Sequence, residues 1–391
     1  MKYKPFLSHR RQKAAAVTYL KHQLCLRGAG GWQDTAELPP GGNFPEDIER
    51  AINEDTGGFI WWGTRDTLKS EVICATELPA ALDRAKADPT YSVMPVFVEL
   101  RPGRDSDAIK AAIGPAYAKQ LLDRNGVLRR AKQPLRELAR ETAREYVKQL
   151  VKAVPAGPVD IAVTAFRAPT EKHDLTMDWR SLFDPETRVL ETGAVETIFE
   201  ALGDIREALQ SRERCPQVTI EVALPIPLAM LLGYEWRRTT QLRVSVKTVN
   251  PGDGRVLVVD PTPTPAAALP DARVMKLDGS GPVVLGLSVG ASLGATIDRY
   301  AADHDARAFE HIHIDRDPHT DPLSAEDIRG IAAQVVKRLN QLQAEGAPKH
   351  LLLRGPASLA VAIGLAANGT GPTLVPFYDG HDYYVGGLWI G

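Results

Sequence analysis

The segments PQVTIEVALPIPLAMLLG (216–233) and PKHLLLRGPASLAVAIG (348–364) decide the fold of the C-terminal half of the chain. Pairing Pro225 with Pro356 aligns them without a gap, at an offset of 131 residues (356 − 225). In each segment an apolar run precedes the proline and helical spacing follows it, which predicts a buried strand and then a helix. One strand–helix unit therefore occurs twice.

A second pair of segments supports the duplication. GPVDIAVTAF (157–166) resembles GPVVLGLSVG (281–290), in the same order relative to the first pair, and the first alignment also matches Gly233 with Gly364. Two such α/β units in one chain would meet about a pseudo-twofold axis. Strand-end loops and helix N-termini would then surround a shared crevice, which is where ligands bind in open α/β sheets.

The first 100 residues also alternate short apolar runs with helical periods, the pattern of βα units on a parallel sheet. We predict a strand at Lys4–Ser8, a helix at Ala14–Leu26 and a strand at FIWWGT (59–64). An amphipathic helix over Gln133–Val154 closes this half.

Prolines and glycines after residue 154 mark a boundary. We predict an N-terminal domain over 1–155 and a C-terminal domain over 156–391. The half-repeats of the second domain cover about 156–265 and 280–391, joined through a proline-rich connection.

Composition excludes several classes of protein. The 391 residues carry 47 Lys and Arg against 49 Asp and Glu, a net charge of −2, so no general basic field would attract DNA or a membrane surface. The three cysteines lack CxxC spacing, which argues against a disulfide framework or a zinc site and favours a reducing compartment. The apolar stretches are too short to span a bilayer. We therefore expect a cytoplasmic protein without DNA or membrane partners.

Four stretches of the N-terminal half resemble a TIR domain over roughly residues 1–155. They are FLSHRR (6–11), DTAELPPGGNFPEDIERAI (34–52), FIWWGT (59–64) and SEVICATEL (70–78). The resemblance implies a flavodoxin-like fold with a parallel sheet, and cleavage of NAD⁺ with Glu77 as the catalytic residue. It also implies substrate contacts from Ser8, Arg10, Arg11, Asp34 and Cys74.

One carboxylate suffices for this chemistry. The nicotinamide leaving group is cationic and departs neutral, so the general acid of ordinary glycosidases is not needed. A carboxylate beside the ribose stabilises the positive charge that develops there. We predict that Ser70 caps the helix carrying Glu77 and that Ile73, Cys74 and Glu77 share one face. Ile73 departs from the family pattern, which commonly has Trp at this position.

The C-terminal half resembles the SAVED domain, a fused pair of CARF-like Rossmannoid units, over residues 156–391. The resemblance rests on the repeated units and on DLTMDWRSLF (174–183), SVGASLGATIDRY (288–300) and YDGHDYYVGGLWI (378–390). It implies a sensor of a cyclic oligonucleotide, most often a cyclic trinucleotide such as cyclic tri-adenylate. It further implies an effector of bacterial antiphage defence (CBASS), functionally linked to a nucleotide cyclase.

The sensor ligand needs phosphate contacts and surfaces for base stacking. We expect the two strand-to-helix turns to supply backbone and side-chain contacts through Ser288, Gly290, Ser292, Arg354, Pro356 and Ser358. The expected stacking and cationic residues are Trp236, Tyr378, Tyr384, Lys172 and Arg237. His311 and His313 alternate on a strand with Asp315, but no third ligand pattern follows, so we expect no metal. We expect no cofactor either, because NAD⁺ is the substrate and the cyclic nucleotide the activating ligand.

These expectations describe an NAD⁺ hydrolase gated by a cyclic oligonucleotide. The family resemblance implies that the Pro-Gly loop of a neighbouring TIR domain (here 38–44) completes each active site, so ligand-driven self-association would activate the enzyme. Unequal sensor halves favour open head-to-tail assembly. Two alternatives remain at this point: a non-catalytic TIR module that recruits other TIR proteins, and a sensor half that binds a different small ligand, such as a mononucleotide.

Overall fold

The computed structural model describes most of the chain. It covers residues 4–33, 44–169, 171–186, 189–212, 217–237, 240–249, 256–259, 270–317, 320–379 and 383–391. The statements below concern these residues.

A parallel sheet forms the centre of the N-terminal region. Its strands are β1 (Pro5–Ser8), β2 (Gly58–Gly63), β3 (Ser92–Phe97) and β4 (Val127–Leu128), in that order. Trp32 forms a parallel bridge to Phe6 on the free side of β1. With Trp32 counted as the second strand position, the order is 2-1-3-4-5, the flavodoxin-like order that the sequence predicted.

The N-terminal region has six α-helices among the described residues, of which the first and the last match the predicted helices at Ala14–Leu26 and Gln133–Val154. They are α1 (Ala14–Leu26), α2 (Phe44–Arg50), α3 (Leu78–Ala87), α4 (Ser106–Ile113), α5 (Pro115–Leu122) and α6 (Leu135–Ala153). The prediction for α1 is confirmed at both ends. Its termination has a clear cause, because Gly28 adopts φ = 89°, a left-handed conformation that favours glycine.

The rest of the chain supplies strands for two further sheets. The strands are β5 (Val159–Thr164), β6 (Leu175–Asp178), β7 (Gln217–Ala223), β8 (Arg243–Val249), β9 (Val256–Val259), β10 (Arg273–Lys276), β11 (Val283–Val289), β12 (Ala308–Ile314), β13 (Lys349–Arg354), β14 (Thr373–Tyr378) and β15 (Tyr384–Ile390). One sheet has the order β6-β5-β7-β8-β9 and the other the order β10-β12-β11-β13-β14-β15. The helices are α7 (Ala194–Gln210), α8 (Ile226–Glu235), α9 (Gly294–Asp303), α10 (Ala325–Ala344) and α11 (Ala357–Ala366).

The internal repeat is confirmed in detail. Helices α8 and α11 begin and end at positions related by the predicted offset, and Pro225 and Pro356 are their N-caps. The two helices pack against each other at the paired glycines. A Cβ atom on Gly233 would overlap the backbone of Val361, and one on Gly364 would overlap the backbone of Met230. Because both contacts are backbone contacts, the repeat keeps glycine where the equivalent helices cross.

The chain divides into two compact units. The first comprises Met1–Ile161 and Thr170–Arg214, and the second comprises Ala162–Pro169 and Cys215–Gly391. Helix α7 and strand β6 thus belong to the first unit, although they follow the boundary that we placed at residue 155. That boundary remains a prediction.

Within the first unit, the C-terminal end of α1 is fixed to the segments after residue 170. Arg27 is buried and its Nε donates to Asp204 Oδ2 of α7 at 2.7 Å. Trp179 Nε1 donates to the carbonyl oxygen of Leu26 at 3.2 Å. A Cβ on Gly28 would approach the side chain of Leu175 to 2.9 Å. These contacts attach α7 and the segment around β6 to the C-terminal end of α1.

Candidate functional site

The carboxyl edge of the N-terminal sheet contains the point where the strand order reverses. β1 lies there between the Trp32 bridge and β2, and Ser8 at the end of β1 is in register with Trp61 of β2. Open α/β sheets bind ligands in the crevice outside such a reversal. Both side chains are buried, at 1% and 0% exposure.

Glu77 lies on the first helical turns after β2. The residues Val72–Glu77 are π-helical and pass directly into α3 at Leu78. The carboxylate-bearing side chain is 6% exposed, and Ile73 and Cys74 beside it are also buried. The predicted helix and its shared buried face are therefore confirmed, with a wider turn than an α-helix. Such π segments occur frequently at functional sites.

The predicted cap of this segment is weak. Ser70 precedes the first helical residue, and the backbone N–H of Ile73 points at Ser70 Oγ over 3.5 Å, a long hydrogen bond. The backbone N–H of Cys74 donates to the carbonyl oxygen of Ser70 at 2.9 Å. The backbone therefore contributes more than the side chain to the start of the segment.

Cys74 is a neutral thiol beside Glu77. Its Sγ donates to the carbonyl oxygen of Thr67 at 3.4 Å. Burial, and to a smaller extent the negative charge of Glu77, raise the pKa of the Cys74 thiol to about 11. A thiol in this state does not act as a nucleophile at neutral pH.

The other predicted substrate residues have different surroundings. Arg10 is half-buried and precedes the short 3₁₀ turn Arg11–Lys13, whereas Arg11 is exposed. Asp34 and residues 38–43 of the Pro-Gly loop lie outside the described residues. Ser8 is thus the predicted substrate residue that the structure places at the end of a central strand.

A second cluster occupies the carboxyl edge of the six-stranded sheet. Ser288 of β11 is in register with Arg354 of β13. The Arg354 guanidinium lies 5.9 Å from the ring centre of Tyr378, which lies 5.5 Å from the ring centre of Tyr384. Tyr384 Oη donates to the carbonyl oxygen of Leu353 at 3.2 Å. The structure therefore brings these four predicted sensor residues together.

The turns after β11 and β13 complete this edge. Gly290 has φ = 80°, and Ser292 Oγ accepts from the backbone N–H of Gly294 at the start of α9 at 3.1 Å. Pro356 precedes α11, and Ser358 in its first turn is 3% exposed. Among the described residues, Ser358 Oγ has no hydrogen-bond partner. An unsatisfied hydroxyl at a helix N-terminus suits an incoming polar ligand.

Two histidines adjoin Ser288, and the sequence analysis considered them only as metal ligands. Ser288 Oγ is hydrogen-bonded to His311 Nε2 at 2.9 Å and to His313 Nδ1 at 3.0 Å. Burial, and then the neighbouring His313, lower the pKa of His311. In the described part of the chain no group of three or more His, Cys, Asp or Glu side chains is arranged to hold a metal ion. Their spacing of two positions on one strand, which puts both side chains on the same face, was the signal that could have placed them beside Ser288.

Three predicted sensor residues do not join this cluster. Trp236 is fully buried, so its ring presents no surface to a base. Trp236 and Arg237 follow the C-terminal end of α8, a whole helix away from the strand end at Pro225, and the Arg237 guanidinium stacks on Tyr234 at 4.2 Å. Lys172 is exposed and belongs to the first compact unit. The stacking role of Trp236 stays a prediction, on a residue that the structure places in the core after the C-terminal end of α8.

Comparison with known families agrees with this architecture. A family model described as a TIR domain matches residues 6–125. A model described as the SMODS-associated and fused to various effectors sensor domain, or SAVED, matches residues 200–382. The chain is a TIR–SAVED fusion. The TIR domain carries Glu77, and the SAVED domain carries the six-stranded sheet with Ser288 and Arg354.

Solved structures with similar folds include SAVED/CARF receptors named Cap4. The receptor from Acinetobacter baumannii in complex with 3′3′3′-cAAA is 12% identical, with a TM-score of 0.48 over 90% of this chain and 86% of that chain. The receptor from Moraxella osloensis is 11% identical, with a TM-score of 0.46 over the same shares. No curated protein matches the sequence. Within the described residues, no helix has the length and apolarity needed to cross a membrane.

Proposed function

We propose that this TIR–SAVED protein is an NAD⁺ glycohydrolase that a cyclic oligonucleotide activates. The observation that carries the proposal is Glu77, a buried carboxylate on the π-helical turns that follow β2. Buried titratable groups concentrate at functional sites. The segment that carries Glu77 follows β2, which borders the reversal point of a flavodoxin-like sheet, and this position supports a role in the reaction.

The reaction requires little beyond that charge. The bond between C1′ of the ribose and the nicotinamide nitrogen breaks, and the electron pair leaves with nicotinamide as a neutral base. Glu77 stabilises the oxocarbenium-like ribose. Water then adds at C1′ and releases a proton, which gives ADP-ribose. Cys74, held neutral by burial, takes no covalent part.

The SAVED domain would hold the activating ligand at the carboxyl edge of its six-stranded sheet. The Arg354 guanidinium suits a phosphate, the exposed ring of Tyr378 suits a base, and Ser358 Oγ lacks a partner among the described residues. We propose a cyclic trinucleotide such as cyclic tri-adenylate. A nucleotide cyclase would then supply the signal, as expected of an effector in bacterial antiphage defence of the CBASS type.

Activation would proceed through self-association of the TIR and SAVED domains. This part of the proposal rests on the family resemblance, since residues 38–43 of the Pro-Gly loop lie outside the described residues. The competing function is a TIR module that assembles without cleaving NAD⁺. The burial of Glu77 favours the enzyme, because a carboxylate needed only for solubility would lie at the surface.

The test measures nicotinamide release from NAD⁺ in the presence of cyclic di-, tri- and tetra-adenylate, with Glu77→Gln as the matched variant. Glutamine keeps the shape of the side chain and removes its charge. We expect a cyclic trinucleotide to trigger release and the variant to lose at least 100-fold in rate, a typical loss for an electrostatic transition-state contact. Ligand-dependent assembly without nicotinamide release by the unmodified protein would establish the non-catalytic module instead.

A further inference from the structure

The strongest unexplained feature of the TIR domain is a pair of buried polar atoms at the reversal point of the sheet. Ser8 Oγ and Trp61 Nε1 each lack a hydrogen-bond partner among the described residues. Ser8 and Trp61 occupy register-paired positions on neighbouring parallel strands, so their side chains leave the same face of the sheet. Buried polar groups are normally paired, which makes two adjacent exceptions informative.

The indole of Trp61 lies between the sheet and the segment that carries Glu77. Its six-membered ring covers Gly63, where a Cβ atom would come within 2.8 Å of the ring, so the indole extends toward the carboxyl edge. Phe97 meets it edge-on at 6.0 Å between ring centres. Ile73 and Cys74 belong to the same apolar cluster as Trp61. Packing from several sides therefore holds the indole on the face of the sheet that also carries Ile73 and Cys74.

We propose that Ser8 and Trp61 form the seat for the carboxamide of the nicotinamide ring, an inference that rests on the proposed NAD⁺ cleavage. Trp61 Nε1 is a donor only and would bind the carboxamide oxygen. Ser8 Oγ can accept and would bind the amide N–H₂. Neither side chain is charged and the surrounding cluster is apolar and aromatic, which suits a neutral aromatic amide better than a phosphate.

Both atoms are closed off from solvent in the structure, so substrate entry must part the side chains above them. The hydrogen bonds that the carboxamide supplies offset that cost, because both protein groups are unsatisfied beforehand. Binding of the leaving group at this seat would leave the ribose to meet the segment that ends at Glu77, since Ile73 and Cys74 of that segment share the Trp61 cluster. Trp61 and Ser8 are thus substrate-binding residues, and Glu77 remains the catalytic residue.

The chain contains a matched control. Trp62 is the next residue, is equally buried, and its Nε1 also lacks a partner among the described residues. Because side chains alternate along a strand, Trp62 points to the opposite face, outside the cluster that contains Ile73 and Cys74. Trp61→Phe and Trp62→Phe remove the same N–H group from opposite faces.

The test measures binding of NAD⁺ and of 3-acetylpyridine adenine dinucleotide by calorimetry, with cyclic tri-adenylate present. All proteins carry Glu77→Gln so that the dinucleotides are not consumed. The analogue keeps the carbonyl acceptor and lacks the amide donor. We expect Trp61→Phe to weaken both ligands about fivefold, the effect of one neutral hydrogen bond. Ser8→Ala should weaken NAD⁺ about fivefold and leave the analogue unchanged, and Trp62→Phe should change neither.

A structural role for Trp61 would give a different result. Removal of an unsatisfied N–H should leave the melting temperature of Trp61→Phe no lower than that of Trp62→Phe, so weakened binding at equal stability supports the seat. Three results would overturn the seat. Trp61→Phe and Trp62→Phe could bind NAD⁺ with equal affinity, Ser8→Ala could weaken binding of NAD⁺ and of the analogue equally, or the protein could fail to bind NAD⁺ at all. If the binding pattern holds while the protein with Glu77 intact releases no nicotinamide, the seat stands and the proposed hydrolase activity falls.

Discussion

Replacing Asp204 with alanine would leave the buried Arg27 guanidinium without its carboxylate. Arg27 is 2% exposed, and its guanidinium also donates to the side-chain and backbone carbonyl oxygens of Gln23. Breaking a buried ion pair from one side costs about 3–5 kcal/mol. The Asp204 side chain is 19% exposed, which favours the lower end, about 3 kcal/mol. At roughly 2–4 °C per kcal/mol for a unit of this size, the melting temperature should fall by about 6–12 °C.

Differential scanning calorimetry of the full chain measures this change. The matched control is Glu200→Ala, which breaks an exposed ion pair to Arg140 at 3.4 Å and should cost under about 1 kcal/mol. The double variant Arg27→Met with Asp204→Ala should recover part of the loss, since no charge is left buried. The reasoning would be refuted if Asp204→Ala lowered the melting temperature no more than Glu200→Ala does. It would also be refuted if the double variant were less stable than the summed effects of its two single substitutions.

Three further predictions follow from other regions. Gly364→Ala should lower the free energy of unfolding by about 1–3 kcal/mol, because the added Cβ would overlap the backbone of Met230 where α8 and α11 cross. Gly203→Ala is the control, since a Cβ there would meet open space in α7, and it should be neutral or stabilising in the same denaturation assay. Burial lowers the pKa of His350 from 6.5 to about 4, so between these pH values the unfolded chain binds a proton that the folded chain does not. The contribution of His350 to stability should therefore be complete above pH 6.5 and decline toward pH 4. The melting temperature measured against pH should decline less steeply in His350→Asn. Iodoacetamide at pH 8 should leave Cys74 unmodified, and Glu77→Gln should accelerate its alkylation, detected by mass spectrometry, because the Glu77 charge raises the pKa of the thiol.

Local patterns carried much of the fold. The apolar spacing and flanking glycines of α1 predicted its two ends, and the repeat placed α8 and α11 at equivalent positions. Helical and strand periods are properties of neighbouring residues, so a sequence displays them directly. The repeat added long-range information, because two copies of one unit must present equivalent surfaces to each other.

The candidate sites were predicted less completely. The TIR resemblance singled out Glu77 as the candidate catalytic residue, but the π-helical backbone that carries it depends on packing and has no simple sequence pattern. The sequence did not show that Trp236 is buried, because an aromatic residue after a helix has the same local pattern whether its ring is buried or exposed. The bonds from Ser288 to His311 and His313 depend on the register of β11 against β12, which the two strands fix only when paired.

The sequence by itself determined the α/β class and the duplicated C-terminal units, because these depend on periodicity and repetition, whereas the role of Glu77 is implied by the resemblance to TIR domains. Only the tertiary structure decided that α7 folds with the first compact unit and that Gly233 and Gly364 meet at one helix crossing. It also showed that Ser8 and Trp61 lie side by side on neighbouring strands, with Ser8 Oγ and Trp61 Nε1 lacking hydrogen-bond partners among the described residues. Each of these facts joins residues distant in the chain. Which of these residues meet depends on sheet register and on how closely two backbones approach, and no local stretch of sequence determines either.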